Sequence, residues 1–207
     1  MKLQDPQAVE EAGLKIVDRE VGAHAFNPGQ WSVVRQAIYA TADYDYARNM
    51  IFHPAAVEAG IAAIRFGADI VADTQTMSME IAKDRLGKHG GSVWCFISDE
   101  DVIQKAKEEG LPRAAVSMRR AAETSDGSIY VIGNVPAALM ELIRLVKEGK
   151  AKPSLIIGVP VGFIDAAESK EALLGLSIPF ITCRGPKGGS PVAAAIINTL
   201  SLLATPP

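Results

Sequence analysis

From about residue 54 onward the chain alternates between two hydrophobic rhythms. In PAAVEAGIAAIRFG, Val57, Ile61 and Ile64 recur at helical spacing, and Gly67 stops the run. DIVAD then reads as a short buried strand and SVWCFI as a second. SDEDVIQKAKEEG is a helix, with Ser98 the expected N-cap, Asp101 at the capping-box position and Gly110 the stop. SIYVIGN is a third strand, and VPAALMELIRLVKEG carries Leu139, Leu142, Ile143 and Val146 on one helical face. PSLIIGVPVGF is a fourth strand with its loop, followed by a helix starting near Asp165. IPFITC is a fifth strand. In SPVAAAIINTLSLLA, Ser190 is the expected N-cap, Pro191 the first helical residue, and Val192, Ile196, Leu200 and Leu203 the buried stripe.

Strands that are apolar throughout and separated by helices are buried on both faces, which is the mark of a parallel sheet. The expectation is therefore α/β: a mainly parallel five-stranded sheet covered by helices on both faces, in one domain over residues 1–207. The first fifty residues lack this rhythm. DPQAVEEAGLKIVDREVG and NPGQWSVVRQAIYATAD read as two helices, the second opened by Asn27 and Pro28, packing over the sheet or against a second subunit.

Composition narrows the function classes. Of 207 residues, 48% are apolar and 22% charged, and the net charge is −3, so no basic excess points to nucleic acid. The acidic start MKLQDPQAVEEAGLK has no apolar h-region, and the most apolar stretch, Pro191 to Ala204, is too short to span a bilayer. Cys95 and Cys183 form no disulfide framework, and His24, His53 and His89 are too scattered for a metal cage. These features describe a cytoplasmic protein with reduced thiols, no membrane span and no bound metal.

In an open α/β sheet, ligands bind beyond the carboxyl ends of the strands. Three glycine-bearing junctions fall there: Gly133-Asn134-Val135-Pro136, Gly158 to Phe163, and Arg184 to Ser190. Each feeds a helix N-terminus, where free N–H groups and the positive dipole end attract anions, and Arg184 and Lys187 add formal charge. None has the form of a phosphate loop or a dinucleotide fingerprint, so the ligand anions are read as carboxylates. Asp73, ending the first strand, is placed for a ligand contact or for capping the next helix. Arg113 follows Pro112 at a helix start, and is either a contact or an exposed surface arginine. His53 precedes Pro54, where capping or packing accounts for it. Glu168, Ser169 and Lys170 read as a solvated first turn. RQAIYATADYDYARN stands out as a cluster of polar aromatics.

The segments ATADYDYA, FHPAAVEAGIAAIRFGADIVADT, VIGNVPAALMELI, GVPVGFIDAAESKEAL and PFITCRGPKGGSPVAAAIINTL closely resemble the precorrin-8X (cobalt-precorrin-8) methylmutases, over nearly the whole chain. The resemblance implies an α/β homodimer with sites near the subunit interface. It implies an isomerase that moves one methyl group between neighbouring carbons of a polycarboxylate corrinoid, with no organic cofactor. By position, Gly133, Asn134, Gly162, Arg184, Gly188, Gly189 and Ser190 are expected around the macrocycle, with Thr41, Asp73 and Arg113 as further contacts. Two departures stand against the family pattern. Tyr39 occupies the place of a histidine proposed as the general acid, and Ala12-Gly13-Leu14 replaces an Arg-Ser-Phe triplet. A free tyrosine is the weaker acid by roughly 3.5 units, or about 5 kcal/mol for full proton transfer. Tyr39 is therefore expected as a hydrogen-bond donor or weak acid, with His53 as a candidate replacement acid. The alternative is a corrinoid- or tetrapyrrole-binding homologue whose catalysis is altered or lost.

Overall fold

The structure is a computed structural model describing residues 5–205. In chain order the elements are α1 (Pro6–Val21), α2 (Pro28–Thr41), α3 (Tyr46–Asn49), β1 (Met50–Phe52), α4 (Ala56–Arg65), β2 (Ile70–Ala72), α5 (Gln75–Glu80), α6 (Lys83–Gly87), β3 (Val93–Trp94), α7 (Glu100–Glu109), α8 (Arg113–Ala122), β4 (Ile129–Ile132), α9 (Pro136–Lys147), β5 (Leu155–Gly158), α10 (Ala166–Leu173), β6 (Phe180–Cys183) and α11 (Ser190–Ala204). The sheet has six strands in the order β1-β6-β5-β4-β2-β3. The five expected strands run parallel. The sixth, β1, was not anticipated and pairs antiparallel with β6, Met50 opposite Cys183 and Phe52 opposite Ile181.

Strand side chains alternate between two apolar layers, as the period of two requires. Ile70, Ala72, Ile129, Val131, Ile157 and Ile181 enter a core built with α2, α4 and α11. Val71, Tyr130, Ile132, Ile156 and Phe180 enter a second core with α8, α9 and α10. The N-terminal helices thus belong to the first face. The apolar side of α2 enters that core, and α1 is tied to α2 by Asp18, which accepts from Trp31 Nε1 at 2.9 Å and from Arg35 Nη1 at 3.2 Å. Asn27 and Gln30 form a reciprocal capping box, as the sequence indicates.

Three local expectations need correction. Ser98 is not the cap of α7; Asp99 precedes that helix and makes no side-chain cap bond. Ser190 is the first residue of α11 rather than its cap, because its hydroxyl donates instead to Asn134 Oδ1. The second expected strand shrinks to Val93–Trp94, since it lies at the sheet edge with β2 as its only neighbour. No helix among the described residues is long and apolar enough to cross a membrane. Among the same residues, both cysteines are free and no cluster of three or more His, Cys, Asp or Glu is placed to hold a metal ion.

Candidate active site

The loops after β4, β5 and β6 meet at the carboxyl edge of the parallel strands, and backbone hydrogen bonds stitch them together. Val161 N donates to Gly133 O at 3.3 Å, Gly189 N to Val159 O at 2.9 Å, and Gly162 N to Pro186 O at 3.0 Å. This closeness requires glycine. A Cβ on Gly188 would lie 2.1 Å from the Val159 carbonyl oxygen, and one on Gly133 would lie 3.0 Å from Ser190 Cα. Gly133, Asn134, Gly162, Arg184, Gly188, Gly189 and Ser190 therefore form one rim.

Beneath the rim, Asp73 is fully buried. Its Oδ2 accepts from Asn134 N at 2.7 Å and from Val135 N at 2.9 Å, while Oδ1 has no partner among the described residues. Burial pushes this carboxyl above the usual aspartate range, and the backbone donors only partly offset it. Asp73 does not cap the next helix, α5, whose N-cap is Thr74; it is buried and instead holds the loop after β4 through Asn134 N and Val135 N. It also takes N–H groups expected to be free for a ligand. The Asn134 side chain completes the network, donating from Nδ2 to Thr74 Oγ1 at 2.9 Å and accepting from Ser190 Oγ at 3.3 Å.

The end of α2 reaches the same rim. Lys187, in the loop after β6, donates to Asp45 Oδ2 at 2.6 Å and lies 2.6 Å from Asp43 Oδ2, so the cation read as ligand-facing is engaged by carboxylates of this chain. That contact holds Asp43 below the ordinary carboxylate range and raises Lys187. Thr41 spends its hydroxyl on the Ala37 carbonyl at 2.7 Å and accepts from Asp43 N at 3.3 Å. Arg184 is exposed and makes no ion pair among the described residues, so it is a rim cation with its charge available.

Tyr39, one turn before this junction, is part-exposed on the wall of a groove of about 720 Å³ that Leu14, Arg35, Pro191, Ala194 and Asn198 also line. The volume suits a sizeable small molecule. Tyr39 and the rim are thus adjacent through Pro191, the residue after Ser190.

Two expected site residues are not brought there. His53 follows β1, which runs opposite to β6. The N–H of Arg184 bonds Asn49 at the rim end, whereas the N–H of His53 bonds Phe180 at the other end. The length of β1 therefore separates His53 from the rim, roughly 10 Å for three strand residues. Its Nδ1 accepts from Ala55 N at 3.2 Å and its ring meets Phe180 edge-on, which are capping and packing roles. Arg113 is exposed at the start of α8, whose apolar side enters the core on the opposite sheet face from α2.

The sequence reading missed Lys170. Far from solvated, it is 1% exposed, and Ser169 is fully buried. The signal was present: Ala166, Ser169, Lys170 and Leu173 are the buried positions of α10, at the i, i+3, i+4, i+7 spacing of a core stripe.

Comparison with known proteins agrees with this geometry. A family model described as precorrin-8X methylmutase (CbiC) matches residues 8–203. The cobalt-precorrin-8 methylmutase of Priestia megaterium is 49% identical over 199 residues, covering 96% of this chain and 88% of that protein. The protein of the same name from Methanocaldococcus jannaschii is 46% identical over 173 residues, covering 84% and 79%. The crystal structure of precorrin-8X methylmutase from Thermus thermophilus superimposes with a TM-score of 0.88 at 37% identity, covering 95% of this chain and 97% of that one. With its six-stranded sheet and the loops gathered at its carboxyl edge, the chain belongs to the precorrin-8X methylmutase family.

Proposed function

We propose that this protein is a methylmutase of corrin biosynthesis, acting on cobalt-precorrin-8 or its metal-free counterpart. It is an isomerase that moves one methyl group between neighbouring ring carbons. The observation that carries the reading is the rim itself. Three glycine loops are hydrogen-bonded into one edge, with exposed Arg184 on it and the Tyr39 groove beside it. A polycarboxylate ring matches such an edge through the Arg184 guanidinium and the positive end of α11 at Ser190, both of which favour carboxylate oxygens. In this reading Gly188, Gly189 and Ser190 hold the ligand edge. Asn134 and Gly162 flank it, and Tyr39 donates a hydrogen bond to the ring where charge develops. Thr41 and Asp73 act by shaping the backbone around the ligand rather than by touching it. The homodimer expected from the resemblance is the assembly in which we place this site. Arg113 retains a contact role only if a second subunit completes the site.

The chemistry asked of Tyr39 is modest. A phenol that donates a hydrogen bond to a ring nitrogen stabilises negative charge developing there without giving up its proton, so a slow reaction is consistent with tyrosine at this position. A second reading, a corrinoid-binding homologue without turnover, is favoured by the replacement of the usual histidine. One experiment separates the two: the purified protein is incubated with the methylmutase substrate and the corrinoid absorption spectrum is followed. Turnover by the wild-type protein supports the first reading. A flat wild-type spectrum with activity restored by Tyr39→His overturns Tyr39 as a working donor. Tight binding of product-like corrinoids with no turnover even after Tyr39→His establishes the second.

A further inference from the structure

Lys170 is a buried lysine with no carboxylate partner among the described residues. Its Nζ donates to the Lys187 carbonyl oxygen and lies 3.7 Å from Cys183 Sγ, and that sulfur lies 3.2 Å from the same carbonyl. Taking an amine out of water is costly unless it makes a bond that water would otherwise make, and an apolar side chain of equal length would fill the same volume more cheaply. Burial accordingly lowers the ammonium pKa and raises that of the thiol, so both groups are driven toward their neutral forms. What the amine supplies in return is a fixed donor for one carbonyl in an irregular loop. Backbone bonds hold that loop on either side, Gly162 N to Pro186 O and Gly189 N to Val159 O, and the amine holds the peptide between them, in a stretch where Gly185, Gly188 and Gly189 all take positive φ. The other end of Lys187 is held from above by Asp43 and Asp45, in the segment that follows the helix of Tyr39.

We propose that Lys170 is a positioning residue. From beneath the sheet edge it pins the Lys187 peptide, and so holds Gly188 to Ser190 and, through the Lys187 pair with Asp43 and Asp45, the end of α2 in one arrangement around the substrate groove. Gripped at its carbonyl and at its ammonium, Lys187 joins the rim loop to the Tyr39 helix. Releasing the lower grip frees the loop without touching any group that faces the ligand. Only the kinetic part of the inference rests on the methylmutase reading. The conformational part stands without it.

The test uses Cys183, itself 1% exposed, as a reporter in a Cys95→Ser background. Labelling by Ellman's reagent is measured far below the melting temperature. Lys170→Met keeps the length and removes the donor, and should raise the labelling rate at least tenfold. Leu142→Ala, a cavity variant in the opposite core, should lower the melting temperature without raising the rate. In turnover, Lys170→Met should raise KM at least fivefold with a smaller loss in kcat, because the loop at the ligand edge is freed while the Tyr39 hydroxyl is retained. An unchanged labelling rate in folded Lys170→Met overturns the proposal, as does an equal rise in Leu142→Ala or a fall in kcat with KM unchanged. Where Lys170→Met does not fold, Lys187→Met at the exposed end of the joint decides. A severalfold faster labelling supports the joint, and an unchanged rate overturns it. A wild-type protein without corrinoid turnover or binding refutes the methylmutase reading, and the labelling result still decides the role of Lys170.

Discussion

A Cβ placed on Gly13 would stand 2.4 Å from Cε2 of Tyr39, so the two residues share one space between α1 and α2. The geometry makes the two positions interdependent. The tyrosine ring lies where a side chain at position 13 would begin. Glycine inside α1 costs roughly 1 kcal/mol relative to alanine, and its missing side chain leaves the ring its room.

The interdependence is measurable in a double-mutant cycle. Gly13→Ala in the wild type gains helix propensity but forces the ring aside, and overpacking typically costs about 1–3 kcal/mol, so no net stabilisation is expected. In a Tyr39→His background the ring is shorter, and the same change should stabilise by about 1 kcal/mol. Chemical denaturation of the four proteins should give a coupling of roughly 0.5–3 kcal/mol. Additivity would show that the two positions are independent.

Tyr39→Phe keeps the ring against Gly13 and removes only the hydroxyl. If the hydroxyl stabilises the transition state as a donor, kcat should fall about 10²–10³-fold with little change in stability. Tyr39→His should acquire a pH dependence centred near ~6.5 that the wild-type enzyme lacks. Paired kcat profiles from pH 5 to 8 would show it. A Tyr39→Phe enzyme as fast as wild type would remove the residue from the mechanism.

His53→Ala should leave kcat within about twofold, since the length of β1 lies between His53 and the rim. Losing the bond from Ala55 N and the contact with Phe180 should lower stability by roughly 0.5–1.5 kcal/mol. A large activity loss at normal stability would mean that His53 reaches a site after all, for instance one completed by a second subunit.

What could be read from the sequence follows from how strongly each feature is encoded. The parallel strands were legible because both of their faces are buried, giving apolar runs bounded by turn residues. The strand β1 was not, because Met50-Ile51-Phe52 is three residues long and directly follows the polar DYDYARN segment. The three rim loops were legible through their glycines, which close backbone approach demands. The uses of charged groups were not. Lys170 and Asp73 are buried and Lys187 is held by this chain's own carboxylates, and these partners lie 17, 61 and 142 residues away in sequence. Asp73 was placed correctly at a strand end, but that it holds the loop after β4 rather than capping the next helix depends on how β4 and β2 pair.

Asp73 gives the last prediction, and its sign follows from burial. Its folded-state pKa is raised, so the native protein holds this proton over a pH range in which the unfolded chain, titrating near ~3.9, has released it. Through that range the native state binds more protons, and the contribution of Asp73 to stability falls as pH rises, levelling off above the folded pKa. The paired carboxylate of Asp43, whose pKa is depressed by Lys187, acts oppositely and loses its contribution as pH falls through its folded value. The two are separated by substitution. Asp73→Asn keeps an acceptor for Asn134 and Val135 and cannot ionise. Its stability relative to wild type should therefore become steadily more favourable as pH is raised from about 4. Asp73→Ala leaves both N–H groups without their acceptor and, relative to Asp73→Asn, should cost about 1–3 kcal/mol at every pH. Denaturant melts of the three proteins between pH 4 and 8 test this. A pH-independent difference between Asp73→Asn and wild type would mean that folding does not raise the pKa of this carboxyl.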